Sequence, residues 1–184
     1  MSLRLSPDAV SRHKDLKIVY TPLHGCGVRL VPEILKRSGF ENIIHVPEQD
    51  LSDGNFPTCI SPNPEEPAAL KLAIEKAEAT GADLVIGTDP DADRVGIAVR
   101  DDEGKIVLFN GNQTASMLTY YILTRWKELG KLTEGKYVVK TIVTTELITE
   151  ICKRFGVPVY NVLTGFKYIA EVVKRQEAEG GEFI

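Results

Sequence analysis

The chain is poor in residues that would staple it together or anchor it in a membrane. Its three cysteines, Cys26, Cys59 and Cys152, are odd in number, far apart and without a CxxC pair. That excludes a disulfide frame or a zinc ribbon and fits buried thiols in a reducing compartment. No run of eighteen apolar residues occurs and no apolar secretory core follows Met1 to Leu5, so a soluble, cytoplasmic protein with no membrane partner is expected. Basic charge is equally thin: 22 Lys+Arg stand against 26 Asp+Glu, a net charge of -4 with no block of like sign. A phosphate backbone needs a basic stripe to follow, so nucleic acid is not an expected partner. Low-complexity segments are missing too, and 43% hydrophobic content supplies a core, which excludes intrinsic disorder. A length of 184 residues allows one domain or two small ones. Met1-Ser2-Leu3 reads as an added leader, and Gly180-Gly181-Glu182-Phe183-Ile184 as a strand start without its continuation.

What is present is a rhythm of apolar runs and amphipathic segments. Lys17 to Thr21 predicts a buried strand that enters a turn-rich Pro22 to Gly27 stretch. Val28 to Ser38 predicts a helix closed by Gly39, and Ile43 to Val46 a second strand. A Pro/Gly/Ser/Asn-rich loop over 47–62 precedes a helix expected from about Pro64, a proline suited to a first turn, to Thr80. Asp83 to Thr88 is apolar in its middle, as a strand covered on both faces is, and 95–100 with 105–109 reads as a hairpin. The rhythm then restarts with helix 112–129, strand 137–143, helix 145–155, strand 157–162, helix 166–179 and a last strand from Gly181. The expected class is α/β: two similar units of mixed, mostly parallel sheet flanked by helices, 1–109 and 110–184, the second truncated.

The stretch Thr88-Asp89-Pro90-Asp91-Ala92-Asp93-Arg94 carries the most chemistry. Asp89, Asp91 and Asp93 alternate as the chain leaves a buried strand, where open α/β sheets place their ligand sites. Three crowded carboxylates repel one another, and a hard divalent cation such as Mg²⁺ removes that repulsion. Pro90 stiffens the loop, and Arg94 offers a planar fork for phosphate oxygens. A solvated acidic turn is the plainer alternative. An EF-hand is excluded because Arg94 stands at the sixth position and Arg100 at the twelfth.

Three further places are two-sided. Leu23-His24-Gly25-Cys26-Gly27 joins strand to helix, but Leu30 stands where a dinucleotide fingerprint needs its third glycine. Its backbone amides suit either phosphate or a tight turn, and His24 either a phosphate or substrate contact or a structural turn histidine. Thr164-Gly165-Phe166-Lys167, between strand and helix, could meet an anion, or be an N-cap threonine beside a surface lysine. Lys140 lies within the apolar run YVVKTIV, where a charge must be paired or point into a cleft.

Taken together, these residues resemble the α-D-phosphohexomutase superfamily, the phosphoglucomutase and phosphomannomutase enzymes. TDPDADR at 88–94 is similar to that family's metal-binding loop, TPLHGCG at 21–27 to its second-domain opening, and Pro62-Asn63-Pro64-Glu65 to its NPE turn. Asn110-Gly111-Asn112-Gln113 resembles the start of the third domain, and TGFK at 164–167 a substrate-facing loop there. The resemblance implies four α/β domains around a central cleft, a phosphoserine in the first, and Mg²⁺ held by Asp89, Asp91, Asp93 and that phosphate. It implies a hexose phosphate substrate, a hexose bisphosphate intermediate and a phosphoryl group returned to the serine. Arg94 would brace the phosphoryl group, Thr164, Gly165 and Lys167 would face the sugar or its phosphate, and Lys140 is a proton-transfer candidate.

The departures limit the expectation. No Thr-Ala-Ser-His-Asn-Pro-like serine loop is present, since Thr114-Ala115-Ser116-Met117 lies in a predicted helix. The family's sugar loop would come just beyond Ile184, and the first and fourth domains are missing from this chain. A fragment is therefore expected: the second domain and most of the third, with the metal carboxylates but not the nucleophile, inactive alone. A metal-dependent sugar-phosphate phosphatase and a non-catalytic metal-binding module remain as alternatives.

Overall fold

Ile18, Val19, Tyr20 and Thr21 are all buried, a run that only a strand covered on both faces allows. That strand, β1 (Lys17–Thr21), accordingly lies inside a sheet. It pairs in parallel with β2 (Asn42–His45) on one side and β3 (Leu84–Thr88) on the other. Antiparallel β4 (Val95–Arg100) and β5 (Ile106–Phe109) complete the order β2-β1-β3-β4-β5. The structure is a computed structural model describing residues 4–184, so the leader reading of Met1-Ser2-Leu3 lies outside the described residues. The chain divides into two compact units between Gly111 and Asn112.

In the first unit, α1 (Pro7–Arg12) precedes β1, and α2 (Gly27–Ser38) links β1 to β2. The short α3 (Pro47–Asp50) and then α4 (Pro67–Thr80) lead from β2 to β3. Ala69, Ala73 and Ala77 recur every fourth residue on the buried face of α4. Through Ala73 and Ala77 the helix settles closely on Val19, Val85 and Ala98 of the sheet, with Val46 and Ala82 closing the cluster, while Ala69 packs against Leu23.

Two expectations about this unit are corrected. The loop over 47–62 contains α3. The helix starts at Pro67 rather than Pro64, because a proline bars the residue before it from helical geometry; Glu66 is extended, with φ -92° and ψ 126°. Pro64 serves instead as packing for β4: a Cβ added to Gly96 would sit 2.0 Å from its carbonyl oxygen.

The second unit is smaller. Its sheet runs β7-β6-β8, with β6 (Lys136–Thr141) parallel to both β7 (Val159–Val162) and β8 (Glu182–Phe183). Helices α5 (Gly111–Glu128), α6 (Leu147–Phe155) and α7 (Phe166–Ala178) accompany it. Leu123, Ile148, Cys152 and Val157 form its core, with Val138 and Val159 of the sheet packed against them. Among the described residues no helix is long and apolar enough to cross a membrane.

Candidate metal centre

Thr88 at the end of β3 pairs with Val95 at the start of β4, so residues 89–94 form the loop that turns one strand into the other. The parallel strands β1 and β3 point their C-terminal ends to this side, the usual ligand side of an α/β sheet. The loop is closed on itself: the Ala92 amide donates to the Asp89 carbonyl at 3.0 Å. Ala92 adopts φ +60°, a conformation uncommon for a residue with a Cβ.

Asp89, Asp91 and Asp93 each present one carboxylate oxygen such that all three lie within 4.8 Å of one another. Around an octahedral ion with ligands at about 2.1 Å, adjacent oxygens lie about 3.0 Å apart and opposite ones about 4.2 Å, so the three carboxylates stand within reach of one shared cation and would draw together on it. Oxygen-only, anionic donors also suit a hard cation rather than zinc or copper. Asp89 is buried while Asp91 and Asp93 are exposed, which leaves the solvent side of the cluster open for ligands from outside the loop.

The electrostatics are those of a site with more negative charge than it holds comfortably. Burial pushes the Asp89 carboxyl up, but hydrogen bonds from Arg94 outweigh it and hold the group below its ordinary value. Those bonds run from the Arg94 backbone amide at 2.9 Å and from its Nε at 2.8 Å. Asp93 is pushed the other way, by a hydrogen bond shared with Asp89 and by repulsion from Asp91. Arg94 is raised by its contact with Asp89.

The Pro22–Gly27 turn abuts this loop. Cys26 donates its amide to the Pro90 carbonyl at 2.9 Å, and a Cβ added to Gly25 would lie 2.3 Å from the Pro90 Cα. Within the turn Leu23 and His24 both have positive φ, +46° and +63°, each a strain of about 1–3 kcal/mol that persists only where surroundings impose it. The surroundings are visible. Leu23 is buried with Ala69 and Leu70. A relay of hydrogen bonds passes from the Leu23 amide to Thr21 Oγ1 (3.1 Å), from that hydroxyl to Gln49 Oε1 (2.6 Å), and from Gln49 Nε2 to Thr58 Oγ1 (3.0 Å). It continues between Thr58 Oγ1 and His24 Nε2 (2.8 Å), and His24 Nδ1 meets the Leu51 carbonyl at 3.0 Å. His24 is 3% exposed, so the structure places it as an interior brace of the turn, with neither ring nitrogen spare for a substrate. Gln49 and Thr58 carry no sequence signal of this role, because their partners are distant in the chain.

In the second unit Lys140 is buried on β6, where its Nζ donates to the Thr144 carbonyl at 3.0 Å and to Glu146 Oε1 at 2.8 Å. Glu146, whose carboxyl Lys140 holds below its ordinary value, is the partner that an apolar run with one lysine required but could not name. The Ile142 amide donates to the Val162 carbonyl at 2.9 Å, which brings the end of β6 beside the approach to Thr164. Thr164 does not cap α7; Gly165 does, at φ +136°, a conformation open to glycine alone. Lys167 is exposed, its Nζ 4.7 Å above the Tyr168 ring. Ser116 lies within α5 and donates to the Asn112 carbonyl at 2.8 Å, as its helical placement predicts.

Comparison with known proteins agrees with this order of motifs. Residues 4–104 match phosphoglucomutase/phosphomannomutase alpha/beta/alpha domain II, and residues 110–182 match domain III. A phosphoglucomutase from Staphylococcus aureus (strain MRSA252) is 41% identical over 161 residues, covering 88% of this chain and 28% of its own length. Among solved structures, a phosphoglucomutase/phosphomannomutase family protein from Burkholderia thailandensis superposes with TM-score 0.70 at 18% identity, over 94% of this chain and 36% of the other. Aspergillus fumigatus N-acetylphosphoglucosamine mutase, in complex with GlcNAc-6P and magnesium, gives 0.60 at 16% identity, over 93% and 36%. The last two likenesses are of fold. With both family domains matched in order over nearly its whole length, the chain belongs to the phosphoglucomutase/phosphomannomutase family.

Proposed function

We propose that this chain is the metal-holding and sugar-phosphate-facing portion of a Mg²⁺-dependent phosphohexomutase, an isomerase that interconverts hexose 1-phosphate and hexose 6-phosphate. The observation that carries the reading is the convergence of Asp89, Asp91 and Asp93 at the end of β3 in a member of this family. A related mutase described in complex with GlcNAc-6P and magnesium supports both the ion and the substrate class. Residues 1–109 are then the metal-binding domain and 110–184 part of the next.

When bound, Mg²⁺ would neutralise charge on a transferring phosphoryl group. The three aspartates would hold it, and the open solvent side of the cluster would receive a phosphoserine oxygen supplied by the parent protein. Phosphoryl transfer breaks the serine O–P bond as the sugar oxygen forms its own, giving a bisphosphate that returns its other phosphoryl group to the serine. Arg94, fixed through Nε by Asp89 and otherwise half exposed, would aim its remaining N–H groups at phosphoryl oxygens. Thr164, Gly165 and Lys167 would bind the sugar or its phosphate, and Lys140 would need to leave Glu146 before it moved a proton. A cytoplasmic setting fits such a substrate.

Isothermal calorimetry tests the reading directly. The chain should bind a single Mg²⁺ weakly, because the phosphate ligand is missing, and Asp91→Asn should abolish the heat. The chain alone should show no mutase turnover, whereas the parent enzyme should lose most of its activity on Asp91→Ala. Binding that survives Asp91→Asn overturns the ligand assignment, and phosphate release from glucose 1-phosphate by this chain would make it a phosphatase.

A further inference from the structure

We propose that the Thr21–Gly27 turn is a rigid seat for the aspartate loop, and that His24 is a positioning residue which sets the carboxylates without touching metal or substrate. The proposal rests on the aspartates being metal ligands but makes a claim of its own about the metal-free chain.

The relay has a determined sense. A carbonyl can only accept, so His24 Nδ1 carries the proton given to Leu51, and in the neutral imidazole Nε2 then accepts from the Thr58 hydroxyl. With its one hydrogen used, Thr58 Oγ1 accepts from Gln49 Nε2. At the other end an amide can only donate, so Thr21 Oγ1 accepts from Leu23 and gives its hydrogen to Gln49 Oε1. Both termini therefore force the same direction, and no member can turn without leaving a buried group unmatched. The backbone on either side is tied as well: the His24 amide donates to the Gln49 carbonyl at 2.9 Å, and the Asp53 amide to the His24 carbonyl at 3.2 Å.

What this rigidity meets is the aspartate loop. Immediately after His24, Gly25 lies so close to Pro90 that not even a methyl group fits, and Cys26 donates to the Pro90 carbonyl. Pro90 separates two of the three carboxylates in sequence, and its own ring leaves little freedom to absorb a shift. Displacement of the turn is therefore passed to Asp89 and Asp91.

The test uses this chain, with Mn²⁺ as probe and electron paramagnetic resonance to count free ion. Thr58→Val removes the relay's hydroxyl while keeping its shape; Thr58→Ser keeps the hydroxyl. In the metal-free state Thr58→Val should speed exchange of the Cys26 amide and shift the amide resonances of Asp91 to Arg94, leaving Val85 and Ala98 unchanged. Mn²⁺ affinity should fall about tenfold, the lower end for changes to groups that orient metal ligands, and Thr58→Ser should restore both. His24→Asn, which tolerates the left-handed backbone, should act like Thr58→Val, and Gly25→Ala should give the largest shifts. Loop resonances and affinity unmoved in Thr58→Val and Gly25→Ala overturn the proposal. Should the wild-type chain bind no Mn²⁺ while the metal-free loop still responds, the metal reading fails and the seat stands.

Discussion

At the C-terminal ends of their parallel strands the two units carry loops of opposite character. In the first, Leu23, His24 and Ala92 hold left-handed backbone without glycine; buried hydrogen bonds and apolar contacts keep Leu23 and His24 there, and the Ala92 amide is tied to the Asp89 carbonyl. In the second, among the described residues, positive φ values belong to glycines alone, and the corresponding loops leave Ile142, Val143, Leu163 and Phe166 largely exposed. The contrast matches the proposed tasks. A small hard cation tolerates little error in ligand position, so its loop must be set before binding. A loop that closes on a sugar phosphate gains from being adjustable, and low local burial makes it so.

The sharpest way to break this comparison is to remove the same side chain from both loops. Leu23→Ala deletes a fully buried group beside Ala69 and Leu70 and should destabilise the first unit by about 3 kcal/mol. Leu163→Ala, at a position 54% exposed, should change stability by less than about 0.5 kcal/mol. Urea unfolding followed by hydrogen exchange at Val85 and at Val138 reports each unit separately. Comparable losses from the two substitutions would show that the second loop is as tightly held as the first.

Much of this contrast is legible in the sequence only in outline. The strands can be read because apolar runs bounded by turns leave few alternatives: Lys17 to Thr21 and Val95 to Arg100 fall where expected. The aspartate loop is legible because three carboxylates at alternate positions repel one another unless a cation or a fully solvated turn relieves them. α1 is not, since PDAVSR buries none of its residues and so has no apolar periodicity. Pro64 misleads because either it or Pro67, three residues on, suits a first helical turn, and only the later one can start the helix. The relay is out of reach altogether: Thr21 and Gln49, or His24 and Thr58, are 28 and 34 residues apart, and polar residues in loops do not announce long-range partners. Lys140 is marked by the sequence as needing a partner, but Glu146, only six residues on, is not named because the way the chain folds back after β6 is not written in the residue pattern.

Alkaline titration separates the units by a second route. Burial pushes the Cys152 thiol in the core of the second unit up to about 11, from an ordinary 9.0. Between these values the unfolded chain has lost the proton and the folded chain has kept it. Stability from this group is therefore complete below about pH 9 and drains away as pH rises toward 11, by about 3 kcal/mol in all. In the first unit burial raises Tyr20 from an ordinary 10.0 and Cys59 from 9.0, so that unit also weakens at alkaline pH and the second must be followed by a reporter of its own. Trp126 fluorescence, from the single tryptophan, should show the second unit weakening in urea between about pH 9 and 11. Cys152→Ala should flatten that slope, and an unchanged slope would exclude the thiol as its source.

The smallest effect bears on the strain itself. Ala92 sits at φ +60° between Asp91 and Asp93, where glycine would avoid a left-handed penalty of about 1–2 kcal/mol. Glycine also loosens the unfolded chain, which offsets about 0.4–1 kcal/mol, so Ala92→Gly should raise stability by at most about 1.5 kcal/mol. Its effect on metal should run the other way. With a Cβ at 92, the loop has few conformations besides the one that gathers the three oxygens; with glycine it has several, and Mn²⁺ affinity should drop by about two- to threefold as the competent population falls. Stability rising while affinity falls would tie the strained backbone of the first unit to ligand placement. A variant that gained in both would mean that Ala92 restrains nothing useful, and the strain would then be incidental to the cluster it separates.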